Sequence, residues 1–272
     1  MSTLTIARLE LLIARRNMWV ATSLVLMGLF SSVLTLAGGA PSGTLGVDPL
    51  LIAITSITTL SVYLIPLIGL LLSFDTITGE VDRGTLALSL TYPVSRGEIL
   101  LGKFFAHLLV LGFAVAVGLA LSAGLTIWKY GSADLNYLPL FKLFGTSLAL
   151  GAAFLGIGYI ISALARQTGV ASGIAIIIWL ICVVLYDLGL LAALVADGGG
   201  VFTKTVFPWL LVANPADAFR LINMPVDTVS TLASGLGGAG GASGFGVQMA
   251  SLLLWPLLAL GLAWAAFRRI EP

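Results

Sequence analysis

Residues 99–128 read ILLGKFFAHLLVLGFAVAVGLALSAGLTIW, thirty positions in which Lys103 and His107 are the ionisable side chains. As a helix this stretch rises roughly 45 Å, whereas the hydrocarbon core of a bilayer is about 30 Å thick. The stretch predicts a membrane span that tilts or projects beyond the lipid. Comparable apolar runs lie at 18–37 and 50–74 before it, and at 138–164, 170–196 and 247–267 after it. Pro66, inside the second run, predicts a kink and a freed carbonyl that must be satisfied within the bundle. Composition agrees. Apolar residues make up 59% and charged residues 9% of the 272 positions, against roughly 25% charged in soluble domains. The expected fold is an all-α membrane domain of six transmembrane helices occupying residues 1–272, with no separate soluble domain. A net charge of +1 gives no electrostatic reason to expect nucleic acid as a partner.

Residues 1–17 carry Arg8, Arg15 and Arg16, with Ile6, Leu9 and Ile13 on another helical face. This pattern suits an interfacial amphipathic helix. The run after it is of spanning length and further spans follow, so it reads as an uncleaved first span rather than a signal peptide. Orientation follows from the basic residues. Arg8, Arg15, Arg16, Arg83, Arg96, Lys103, Arg166, Arg268 and Arg269 fall on one side, and Lys129, Lys142, Lys204 and Arg220 on the other. The richer side predicts both termini in the cytoplasm of a multi-pass inner-membrane protein.

The longest charged connection is 75–98, containing GEVDRGTLALSLTYPVSRGE from Gly79. Asp82 is placed to cap a short helix reaching about Thr91, and Pro93 stops it by forcing Tyr92 out of helical geometry. Ser95 and Glu98 have capping-box spacing immediately before the third span. Leu86, Leu88 and Leu90 exceed what a solvated loop needs. A partner surface and an ordinary capped loop both account for the segment.

The second polar region, 197–246, contains Asn214-Pro215-Ala216-Asp217 and then a Gly/Ser-rich stretch from 234 to 246. Asn214 caps, Pro215 opens the helix, and Asp217 sits in the first turn within reach of Arg220. With Phe219, this helix is either an amphipathic surface element or a periplasmic docking face. Asp75, His107 and Asp187 lie in or at the edge of spans. Asp187 has the stronger claim to a role in a translocation path or dimer interface.

Three chemistries fare badly. Gly97-x-x-x-x-Gly102-Lys103 is followed by Phe104, so the hydroxyl that a phosphate loop offers to magnesium is missing. Gly241-Ala-Ser243-Gly244 resembles the serine motif of rhomboid-type intramembrane proteases. Its nucleophile would need a base, and His107, the single histidine, falls near the opposite face. One His, the lone Cys182 and five scattered methionines make no metal-ligand set. No metal is expected, and no cofactor bound by this chain.

The pattern Gly79-Glu80-x-x-x-Gly84-Thr85-Leu86, followed by Tyr92-Pro93-x-Ser95-Arg96-Gly97-Glu98, resembles the first cytoplasmic loop of type-2 ABC transporter permeases. WLICVVLYDLGLLAALV from Trp179 and PWLLVANPADAFRLINM from Pro208 narrow the resemblance to the NosY-type permeases of nitrous oxide reductase maturation. The resemblance implies a non-enzymatic permease that pairs with a second copy of itself, two ABC ATPase subunits holding ATP and Mg, and a periplasmic NosD-like protein. It further implies a coupling surface at Glu80, Asp82, Arg83, Pro93, Arg96 and Glu98, with a lesser contact at Arg166 and Gln167. Docking of the periplasmic partner falls on Asn214, Asp217, Phe219 and Arg220. The cargo of such systems is a copper or sulfur species. An exporter of another substrate, and the rhomboid-like protease, are the alternatives.

Overall fold

A computed structural model of the chain describes residues 3–14, 18–38, 49–91, 94–131, 137–224 and 244–270. Among these residues there is no strand, and six helices are long and apolar enough to cross a membrane. Span one is Met18–Gly38, span two Pro49–Ser73, span three Arg96–Tyr130 and span four Leu138–Leu164. Span five runs from Thr168 to Asp197 with a π-helical section at Leu180–Leu185, and span six is Phe245–Phe267. Five shorter α-helices and a π-helical turn at Phe202–Val206 complete the description: α1 (Thr3–Ala14), α2 (Thr78–Asp82), α3 (Thr85–Leu90), α4 (Phe207–Ala213) and α5 (Pro215–Asn223).

Span four is the hub. It packs against spans two and six, while span one lies along span three. Small residues set these distances. A Cβ on Gly156 would stand 2.7 Å from the Ala259 methyl of span six, and one on Gly102 would stand 2.8 Å from Ile6 of α1. α1 is accordingly seated on span three through Ile6, Ala7 and Ala14, and its Leu9 and Ile13 face outward. The grouping of Ile6 with Leu9 and Ile13 expected from sequence therefore splits between two faces. Pro66 does lie within a continuous span two. It removes the donor for the Val62 carbonyl, and the Trp179 indole N–H reaches the adjacent Tyr63 carbonyl at 3.0 Å.

Candidate functional site

The bundle end that carries both termini gathers most of the coupling residues expected from sequence, and it does so by fastening the 75–98 connection to the spans. The single helix expected to run from an Asp82 cap to about Thr91 begins instead at Thr85, after a separate helix that ends at Asp82, with Gly84 at φ +66° between the two. That left-handed conformation costs an L-residue roughly 1–2 kcal/mol. Asp82 consequently ends α2 rather than capping α3. Its carboxylate accepts from the Thr168 N–H at 2.9 Å and from the Thr168 hydroxyl, which caps span five. The start of α2 is stitched to span four, where Ser162 Oγ accepts the N–H groups of Ile77 (2.8 Å) and Thr78 (3.1 Å).

Glu80 points into the bundle, 2.9 Å from Lys103 Nζ, which also donates to Glu10 of α1 at 3.1 Å. These groups line a cleft of about 480 Å³ together with Asp75, Thr76, Arg83 and His107. His107 Nδ1 shares a 2.8 Å hydrogen bond with the Tyr159 hydroxyl. Arg96 donates at 2.7 Å to the carbonyls of both Phe267 and Ile270, closing the end of span six. Ser95 and Glu98 form the expected capping box. Val81, Arg83, Thr85, Arg166 and Gln167 remain exposed. Pro93 and Ser243, like most of the Gly/Ser-rich stretch, lie outside the described residues.

At the far end, Asn214 Oδ1 accepts from the Ala216 N–H and Pro215 opens α5, as the local spacing predicts. The Asp187 and Asp217 carboxylates meet on one guanidinium. Arg220 donates to Asp187 at 2.7 Å and to Asp217 at 3.0 Å. Asn214 Nδ2 donates to Asp217 (3.1 Å) and to the Cys182 carbonyl (2.8 Å). Tyr186 donates to the Leu210 carbonyl at 2.6 Å. Together these bonds fasten α4 and α5 to span five. Burial pushes the Asp217 carboxyl up to about 8, with Arg220 opposing and Asp187 reinforcing the rise. Burial lowers the Arg220 guanidinium, but Asp217 and Asp187 outweigh it and leave it raised. Phe219, fully buried, anchors α5 in the core. Asp187 and Phe219 thus face protein within this chain.

Sequence reasoning missed Ser162, Thr168 and the pairing of Glu10 with Lys103. Glu10 carried a signal: it stands one turn from Ile6 and from Ala14, on the face that α1 buries.

Residues 4–271 match the profile of a family described as ABC-2 family transporter protein. The chain belongs to the ABC-2 transporter family. Two curated relatives have the name "Probable ABC transporter permease protein NosY". One is from Stutzerimonas stutzeri, 38% identical over 279 residues, and the other from Pseudomonas aeruginosa, 38% identical over 290 residues. In both cases 97% of each chain is covered. The chain is therefore an ABC-2 permease subunit similar to NosY, a class of transporter component rather than itself an enzyme.

Proposed function

We propose that this permease couples ATP hydrolysis in a separate ATPase subunit to transport or conformational signalling across the cytoplasmic membrane. The step serves copper-centre assembly of nitrous oxide reductase, with a copper or sulfur species as cargo. The permease works as a homodimer with two ATPase subunits, with both termini cytoplasmic and a periplasmic NosD-like partner on the opposite side. The observation that carries the reading is the α2–Gly84–α3 turn. Its inner side is bonded to spans three, four and five, and Val81, Arg83 and Thr85 on it remain exposed, Arg83 beside the Lys103 cleft. A rigid knob fixed to three spans transmits a push from a docked subunit, whereas a loose loop would absorb it. Arg83, rather than Glu80, is the polar contact with the ATPase, since Glu80 is engaged by Lys103.

The test is co-purification of the tagged permease with a Walker-A-containing ATPase and measurement of ATPase activity. Arg83→Glu is expected to lower retention of the ATPase or to uncouple its activity. Full retention with normal coupled activity would overturn the assignment of this turn as the coupling surface.

A further inference from the structure

A groove of about 610 Å³ runs between spans four and five at the terminal end of the bundle. Its walls are Ile160, Ile161 and Leu164 from span four and Val170, Ile174 and Ile178 from span five, with Arg166 and Gln167 at its mouth. The apolar wall is open: Leu164 is 68% and Val170 51% exposed. From Arg166 to Ile178 the helical rise is roughly 18 Å, close to the ~15 Å thickness of one leaflet's hydrocarbon. Arg166 is exposed, whereas Arg96 and Arg220 are committed to carbonyls and carboxylates within the chain.

We infer that this groove binds an anionic phospholipid, one acyl chain lying along the isoleucine wall and the phosphate held by Arg166 with Gln167 beside it. A guanidinium matches phosphate geometry with paired donors, and basic pockets between spans at the cytoplasmic side suit anionic headgroups. The placement in the cytoplasmic leaflet rests on the topology proposed above, while binding itself does not. A second copy is the poorer occupant: a two-fold interface centred here sets Arg166 against its own equivalent.

The experiment is native mass spectrometry of the detergent-purified full chain with added palmitoyl-oleoyl phosphatidylglycerol or phosphatidylcholine, with and without inorganic phosphate. Wild type is expected to retain phosphatidylglycerol preferentially, Arg166→Gln to lose roughly fivefold of that retention, and Arg166→Lys to keep most of it. Ile174→Trp, which fills the groove and leaves the charge, is expected to reduce retention of both lipids. Equal retention of the two lipids by wild type, or unchanged retention in Arg166→Gln, would refute the site. Displacement by inorganic phosphate alone would refute the lipid as its occupant. Unchanged lipid retention in Arg166→Gln combined with weaker ATPase co-purification would give Arg166 to the ATPase instead, while an Arg83→Glu result leaves the lipid question untouched.

Discussion

Replacing Lys103 by Met removes the cation that pairs with two carboxylates from different elements, Glu10 on α1 and Glu80 on α2. All three side chains are sequestered, with 7% of Lys103, 14% of Glu10 and 18% of Glu80 exposed. Deleting one partner of a buried pair leaves an uncompensated charge and costs about 3–5 kcal/mol. The cost here belongs at the upper part of that range, because two carboxylates are orphaned at once. The midpoint of SDS-titrated unfolding of the detergent-solubilised chain reads this directly, and hydrogen exchange locates it, with α1 and α2 expected to lose protection before the spans. The triple variant Lys103→Met, Glu10→Gln, Glu80→Gln removes all three charges and is expected to recover most of the loss, since a neutral, similarly shaped cluster no longer pays the desolvation of buried charges. An unshifted midpoint in Lys103→Met, or a triple variant no better than the single, would refute the claim that Lys103 joins these elements.

Single contacts elsewhere give three more expected outcomes. Asp82→Ala frees the first turn of span five, so the amides of Thr168 and its neighbours should exchange faster while span four keeps its protection. Arg96→Ala leaves the carbonyls of Phe267 and Ile270 without their donor, and faster exchange or proteolysis confined to the end of span six is the expected reading. Asp217 binds a proton when folded that the unfolded chain has released between about pH 4 and 8. The unfolded state therefore carries fewer protons in that window, and attachment of α5 should weaken as pH rises through it; Asp217→Asn should flatten that profile in cysteine-accessibility or exchange measurements.

The spans were legible because lipid imposes one demand on about twenty consecutive residues, and that demand can be read residue by residue. The predicted limits 138–164 coincide with span four, and the others fall within a few residues of the helices found. Local caps were legible for a related reason: Ser95 with Glu98, and Asn214 with Ala216 and Asp217, are bonds between near neighbours. The tie from Glu10 to Lys103 crosses 93 positions and that from Arg96 to Ile270 crosses 174. A charge at a span end has the same sequence signature whether it snorkels to water or closes a distant helix, so spacing carries no trace of these partners. Gly84 misled for a different reason. Its neighbours Leu86 and Ala87 are good helix formers, while the left-handed turn accompanies a contact, Asp82 to Thr168, that lies 86 positions away in sequence.

Both ends of the bundle use the same device. At the terminal end one lysine joins Glu10 and Glu80, and at the far end one arginine joins Asp187 and Asp217. In each case the cation bridges a short helix to an element that is remote in sequence, or to a span. A single positive charge neutralises one carboxylate, and a second buried carboxylate beside it is costly unless it is hydrogen-bonded or holds a proton. At the far end Asn214 donates to Asp217, and burial raises the Asp217 carboxyl, which favours its protonated form. These clusters fix where the short helices sit more than they add net stability. The coupling proposed for the α2–α3 turn needs this property, because a displaced helix then moves the span it is bonded to instead of peeling away from it.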